Sequence, residues 1–403
     1  MTRATFGVNS RAVRTIGLLL LAACSHPAAT PADAPPADAT FDAGLPSPIA
    51  AADFTHALDE SYIRALQTWI DDPTFATKWA DMLTSPIAMF GGADSAFHAD
   101  LATRAVALPG GEVQCHGDPK LDNFGWVAAG GAGLFSNADF DDAGACPAAD
   151  DILRFLVATD LWFADPSLDE AALSAYVDAV GSPAAAIAVD PTTLPNWDDL
   201  RTSGVAGDTS KSKISLGGNL QAPTDDELTA ITALVHSDAR FPTGLLDVAD
   251  DVRTTGGSAG LRRYWVLVED ATHPRTIIEL KELTTPGTEL GPHSMTFDGP
   301  DRFDILKPYW WGVASPGDDF FVPLLGARFL ARDKYARTTA DPTTLTPAQI
   351  ENALLGEASL LAVRHAGAWA GVDLDALRGW LRTSAATLSA RWRATYATSG
   401  GAS

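Results

Sequence analysis

The sequence has few cysteines, few basic residues and no long uncharged stretch. Its three cysteines limit the chain to one internal disulfide. Lysine and arginine total 28 against 51 acidic residues, for a formal net charge of −23. This balance argues against a nucleic-acid partner, which would require a basic face. No segment after the N-terminus offers the run of about 18 uncharged residues that a membrane-spanning helix needs. The hydrophobic content of 46% is enough to bury one or two large cores.

The N-terminus has the pattern of a targeting segment. Three arginines precede a short apolar run over 16–23, which ends in the letters LAAC at Cys24 and resembles the lipobox of bacterial lipoproteins. Residues 1–23 are therefore predicted to be a lipoprotein signal peptide, with Cys24 as the lipidation site. The Pro/Ala-rich stretch over 24–48 is predicted to be a tether. Because Ser25 follows the cysteine, the expected location is the cell envelope, on the outer membrane facing the periplasm. The lipid is the only membrane anchor expected.

Two cysteines remain if Cys24 carries a lipid. Cys115 precedes one acidic cluster and Cys146 follows another. A disulfide between them would tie the clusters together, and an envelope location permits one. Two independent buried thiols are an equal alternative, since free cysteine behaves as a small apolar residue.

The hydrophobic periodicity predicts an α+β fold over residues 49–403. The part over 49–180 has helical spacing interrupted by a hairpin, and the part over 225–335 has strands around a glycine-rich turn. The part over 346–398 is again helical. Acidic residues fall at the predicted strand ends, where loops are held by a rigid scaffold.

The two acidic clusters have the composition of a cation site. The first reads HGDPKLDN over 116–123, and the second reads ADFDDA over 138–143. Carboxylate and amide oxygens are the ligands that Mg²⁺ prefers. Asn123 and Asp139 could hold such an ion from two adjacent loops, while Asp118 could accept a proton from a hydroxyl nucleophile.

These motifs resemble a known group of enzymes. The first is similar to the HGDxHxxN catalytic loop of aminoglycoside phosphotransferases, with Lys120 in place of the second His, and the second resembles their metal-binding DFG-type segment. The chain is more closely similar to the bacterial "domain of unknown function 2252" family, which is grouped with protein-kinase-like folds. The resemblance extends over about 62–365 and is sharpest over 115–154.

The resemblance implies a two-lobed protein-kinase-like fold and a set of roles. The glycine-rich turn and the lysine follow the catalytic loop here, so the lobes would be circularly permuted relative to kinases. Asp151 would be a buried acid that braces the catalytic loop. The family commonly has an arginine where this chain has Gly91. The implied catalytic residues are Asp118 and His116, the metal ligands Asn123, Asp139 and Asp141, and the nucleotide-binding residues Lys281, Gly257, Ser258 and Gly260.

Three functions are compatible with these residues. The leading hypothesis is a Mg²⁺-dependent phosphotransferase that uses ATP or another nucleotide and acts on a hydroxyl of an unknown small-molecule or envelope acceptor. The second is a metal-dependent hydrolase built from His116, Asp118 and Asp139. The third is a catalytically silent kinase-like binding module of the envelope, because fold does not dictate activity.

Overall fold

The computed structural model describes residues 44–401 except 106, 130–131, 191–193, 195–211, 272–274, 294–301, 312–318 and 340. The predicted signal peptide, the lipidation site Cys24 and nearly all of the tether therefore lie outside the described residues. Within them, no helix combines the length and apolarity needed to cross a membrane.

Helices account for most of the regular structure. Several of them begin at a Ser, Thr or Asp whose side chain accepts a backbone N–H of the first turn, as at Asp71, Thr224 and Thr346, and such caps are worth about 1 kcal/mol each. The helices are α1 (Glu60–Leu66), α2 (Asp72–Met82), α3 (Pro86–Gly92), α4 (Asp94–Ala102), α5 (Ala148–Phe163), α6 (Pro166–Gly181), α7 (Asp225–Ser237), α8 (Arg302–Trp311), α9 (Pro347–His365) and α10 (Leu374–Thr398).

The described strands form three antiparallel sheets. β1 pairs with β4, β2 lies between β11 and β3, and the largest sheet has the order β5-β6-β7-β8-β10-β9. The strands are β1 (Glu112–Cys115), β2 (Phe124–Ala129), β3 (Ala132–Asn137), β4 (Gly144–Pro147), β5 (Leu220–Gln221), β6 (Gly244–Asp251), β7 (Arg263–Glu269), β8 (Thr276–Glu282), β9 (Phe320–Leu324), β10 (Ala327–Asp333) and β11 (Arg337–Thr339). The predicted α+β class is confirmed.

Among the described residues, apolar side chains are buried in one large cluster and two smaller ones. The large cluster joins α1–α6, α9 and α10 around the first two sheets. A second lies between the six-stranded sheet and α7. On β8, Ile278 and Leu280 face that second cluster, so Glu279 and Lys281 point to the opposite face because side chains alternate along a strand. The sheet thereby presents charged residues on the side away from α7.

Strand pairing brings the two acidic loops together. Cys115 of β1 lies opposite Gly144 of β4, so the first loop leaves this pair where the second loop enters it. At the other end, Phe124 lies opposite Asn137 in the β2–β3 hairpin. Both loops are therefore fixed at each end by antiparallel pairs and must run side by side. Cys115 and Cys146 form a disulfide within the β1–β4 pair.

Candidate active site

A cleft of about 430 Å³ lies between the two acidic loops and the six-stranded sheet. The first loop lines it with Asp118, Lys120 and Asn123, and the second lines it with its three aspartates. The sheet contributes Lys281 and Arg263. Most of the sequence-predicted site residues thus share one cavity: Asp118, Asn123, Asp139, Asp141, Gly257, Ser258 and Lys281.

Asp118 is buried and surrounded by donors. The Arg154 guanidinium donates to Oδ1 from Nε at 2.8 Å and from Nη2 at 2.6 Å. Lys120 Nζ lies 2.5 Å from Oδ2, and the Asn123 amide donates to the same oxygen at 2.8 Å. Burial acts to raise the pKa of Asp118, but the two cations overcome it and hold that pKa well below its usual range. The carboxylate is ionised and a weak base.

The backbone of the HGD motif is held by α5. Asp151 accepts the amide N–H groups of His116 and Gly117, both at 2.9 Å. Gly117 has φ +86°, and a Cβ there would lie 2.0 Å from the carbonyl oxygen of Asp142. Only glycine permits both this conformation and this close approach of the two loops. Asp151 therefore occupies the bracing position that the resemblance implies.

His98 of α4 holds the loop from the other side. Its Nε2 donates to the Gly117 carbonyl at 2.7 Å, and its Nδ1 lies 2.8 Å from Asp150. Burial alone would lower the pKa of His98, but the Asp150 carboxylate overcomes this effect and raises it to about 9. The imidazole is therefore a buried cation at neutral pH.

Asp142 and Asp94 complete an acidic group around Asp118. Carboxylate oxygens of these three residues all lie within 4.8 Å of one another, and Arg154 reaches Asp94 at 2.8 Å as well as Asp118. Burial, with Asp94 next to it, raises the pKa of Asp142 well above its usual range. Because Arg154 already supplies positive charge between Asp94 and Asp118, this group does not require a metal. We call the following five residues the loop wall: Asp94, Asp118, Lys120, Asp142 and Arg154.

The second loop meets the sheet at Lys281. The ammonium of this residue lies 3.4 Å from Asp139 Oδ2 and contacts the Asp141 carboxylate. Arg332 of β10 approaches the other oxygen of Asp139 at 3.5 Å. Burial lowers the pKa of Lys281 to about 8, although the Asp139 carboxylate acts to raise it. Residues far apart in sequence thus form one ionic cluster across the cleft.

Glu279 joins two arginines on the same face of the sheet. Arg332 donates to it at 2.5 Å and Arg263 at 2.9 Å. Neither arginine is part of any motif, so sequence reasoning missed both. The available signal was the polar Glu279 and Lys281 at alternate positions of an otherwise apolar strand. We call the following four residues the sheet wall: Arg263, Glu279, Lys281 and Arg332.

The glycine-rich turn between β6 and β7 is attached to the helical part of the chain. Lys78 of α2 donates to the Gly257 carbonyl at 3.0 Å, and the Trp69 indole donates to the Ala259 carbonyl at 3.3 Å. Arg263 donates to the Ser258 hydroxyl at 3.1 Å. Gly257 and Ser258 line the cleft, whereas Gly260 does not. The turn therefore closes one side of the cavity with two of the three predicted residues.

His116 does not line the cleft. Its ring is 4.8 Å from that of Phe124 and 5.9 Å from that of Trp310, and only 1% of the residue is exposed. Burial lowers the pKa of His116 to about 4, so the ring is neutral. The HGD motif predicts a catalytic histidine, but the imidazole packs among aromatic rings and only the backbone of His116 supports the loop.

Asp139, Asp141 and Asn123 are the residues of the two loops that could hold a hard divalent cation. Asp139 and Asp141 offer carboxylate oxygens in the cleft. The amide nitrogen of Asn123 is engaged by Asp118, which leaves its carbonyl oxygen as the atom able to coordinate. All three are the oxygen ligands that Mg²⁺ takes while keeping several waters.

One family model matches part of the chain. Residues 71–182 match the family model described as "Uncharacterized protein conserved in bacteria (DUF2252)", which supports the family that the motifs suggest. The matched segment contains both acidic loops and Arg154, while the glycine-rich turn and Lys281 lie beyond it. No curated protein and no solved structure matches the chain.

Proposed function

We propose that this chain is a Mg²⁺-dependent phosphotransferase with a permuted kinase-like architecture, which transfers a phosphoryl group from ATP or another nucleotide to a hydroxyl of an acceptor. The observation that carries the proposal is the ionic contact of Lys281 with Asp139 and Asp141. It joins a lysine on a strand to carboxylates on a loop, in the cleft that also contains Asp118 and Asn123. Phosphoryl transfer needs these parts together: a metal site, a cation for the phosphates and an acid near the acceptor.

Each part has an assigned task. Asp139, Asp141 and Asn123 would hold the Mg²⁺ ion, which neutralises charge on the phosphates when bound. Lys281 would contact the phosphates directly, and the backbone of Gly257 and Ser258 would cover them. These assignments divide the cleft between a metal-binding loop and a phosphate-binding sheet.

Asp118 would orient the acceptor hydroxyl rather than remove its proton early. Its pKa lies well below the usual range, so it is a poor general base. A low pKa is compatible with the reaction because the transition state of phosphoryl transfer is loose, and catalysis depends on positioning and electrostatics. Lys120 would have to leave Oδ2 for a hydroxyl to approach that oxygen.

Calorimetric titration with ATP tests the proposal. We expect the wild-type protein to bind ATP in the presence of Mg²⁺ and only weakly without it, and Asp139→Asn to abolish this metal dependence. Asp122→Asn is the matched control, since Asp122 lines the same cleft without a proposed role in metal binding. Absence of nucleotide binding with and without Mg²⁺ would overturn the proposal.

One observation favours a silent binding module as a second candidate. Lys120 Nζ lies 2.5 Å from Asp118 Oδ2 and covers the oxygen that an acceptor would use. Slow release of ADP from Mg·ATP separates the two candidates. A phosphotransferase should show slow hydrolysis that Asp118→Asn removes, whereas a silent module should bind Mg·ATP and release no ADP.

We also propose that the protein is lipid-anchored in the cell envelope. The disulfide between Cys115 and Cys146 is buried, and structural disulfides are typical of oxidising compartments. Expression in a bacterial host tests this: the wild-type protein should fractionate with membranes and Cys24→Ser should be released from them. Equal membrane association of both would contradict the assignment of Cys24.

A further inference from the structure

Arg263 and Lys281 lie directly opposite each other on neighbouring strands. Residues in such pairs have Cβ atoms about 5 Å apart, and like charges in this arrangement destabilise a sheet. Both side chains line the cleft, and their exposed fractions are only 12% and 6%. A fold that retains two cations in this position requires negative charge close to both.

The sheet does not supply enough negative charge by itself. Its wall has three cations and one carboxylate, Glu279, which Arg263 and Arg332 share. Lys281 receives its compensation from Asp139 and Asp141 on the second loop. These two carboxylates are the proposed metal ligands. A carboxylate that binds a divalent cation has less negative charge left to neutralise nearby lysine and arginine side chains. With metal present, Arg263 and Lys281 would leave an excess of positive charge facing the cleft.

The position of Arg263 suits a phosphate group. Its Nη1 donates to Glu279 and its Nη2 donates to the Ser258 hydroxyl, so the guanidinium lies between the glycine-rich turn and Glu279, on the strand that carries Lys281. Two contacts leave further donors of the five that arginine carries. Its planar fork matches phosphate oxygens, and partners at both ends hold it in place.

We propose that Arg263 is a second phosphate-binding residue, which acts with Lys281 on the polyphosphate chain of the donor. This inference rests on the proposed function, because it assigns the ligand of the same cleft. Lys281 supplies a point charge, and Arg263 supplies a directional fork next to the glycine-rich turn. The chemical class of ligand is a polyphosphate that arrives with a divalent cation.

Calorimetric titration of the full chain with ATP and with inorganic tripolyphosphate, each with Mg²⁺, tests the inference. We expect Arg263→Gln to weaken the binding of both probes by about tenfold to a hundredfold, since hydrogen bonds to charged groups are of that strength. Adenosine, which has no phosphate, should bind wild type and variant equally. Arg262→Gln is the matched control, because the adjacent Arg262 pairs with Glu282 and does not line the cleft.

Arg263→Lys keeps the test valid if Arg263→Gln does not fold. Lysine retains the charge of arginine but not its planar fork. The affinity of Arg263→Lys should therefore lie between those of wild type and Arg263→Gln. If Arg263→Gln does not fold, the affinity of Arg263→Lys should still be below that of wild type. Equal affinity of wild type and the Arg263 variants for ATP would overturn the inference and leave the proposed function intact. If tripolyphosphate binds in a way that depends on Arg263 but ATP does not bind, the inference is supported and a nucleotide is excluded as the phosphate donor. Binding of neither probe by wild type would overturn both.

Discussion

The loop wall and the sheet wall both bury charged side chains, but only the sheet wall has an excess of one sign. In the loop wall two cations face three carboxyl groups, of which Asp142 has a pKa raised well above its usual range. The sheet wall has three cations and one carboxylate. Arg154 of the loop wall is fully buried, packs over the ring of Phe90 at 4.3 Å and does not line the cleft. Lys281 of the sheet wall lines the cavity. The comparison indicates that Arg154 maintains the fold, whereas Arg263 and Lys281 lie in the cleft, where a ligand could contact them.

Removal of Arg154 should give the largest effect on stability. Arg154→Met leaves Asp94 and Asp118 buried without their shared partner, and breaking a buried ion pair in this way costs about 3–5 kcal/mol. Urea unfolding measures the loss. Arg382→Met is the control, since its pair with Glu170 is about half exposed and should cost less than about 1 kcal/mol. Similar losses for both variants would show that the loop wall is not structural.

The disulfide should contribute slightly less. Cys115 and Cys146 are 31 residues apart, and closing a loop of that size stabilises a protein by about 3–4 kcal/mol in the chain-entropy treatment. The double variant Cys115→Ala/Cys146→Ala should lose that amount in urea unfolding under oxidising conditions. Reduced wild type should match the variant. If the double variant loses stability but reduction of the wild type does not, the loss is due to packing of the cysteine side chains and not to the disulfide.

His98, which supports the first acidic loop, should make the free energy of unfolding of the protein depend on pH. Its folded-state pKa of about 9 lies above the usual value of about 6.5, so its contribution is fully present below pH 6.5 and is lost as the pH rises through 9. The shift corresponds to at most about 3 kcal/mol. The free energy of unfolding of wild type minus that of His98→Gln should decrease across this window. A constant difference from pH 6 to 10 would contradict a charged His98.

Replacement of Lys281 should have the smallest effect on stability. Burial lowers the pKa of Lys281 to about 8, which means that the site already disfavours its charge. Arg332 remains near Asp139 in the variant. Lys281 is the strongest of the cations that lower the pKa of Asp139, so Lys281→Met should lower the free energy of unfolding. We expect the loss to be smaller than that of Arg154→Met in the same urea titration, because Asp139 keeps Arg332. A loss as large as that of Arg154→Met would remove the distinction between the two walls.

The sequence predicted the two acidic loops better than the sheet wall for a physical reason. Asp118, Asn123 and Asp139 belong to short motifs whose flanking strands pair locally, so their proximity follows from neighbouring segments. Arg263 reaches the cleft, and Arg332 reaches Asp139, through the register of β7, β8 and β10, which no local pattern encodes. His116 shows that a motif does not always predict the role of a side chain. The motif specifies the backbone position of His116, but aromatic packing determines where its ring lies.

The change in melting temperature caused by Mg·ATP tests the division between the walls most directly. A ligand that binds only the folded state at a hundred times its Kd stabilises it by about 2.7 kcal/mol, which raises the melting temperature by a few degrees. We predict this rise for wild type and its loss in Lys281→Met, with each protein compared with its own melting temperature without ligand. An equal rise in both proteins, or none in wild type, would contradict the assignment of the sheet wall to the phosphates.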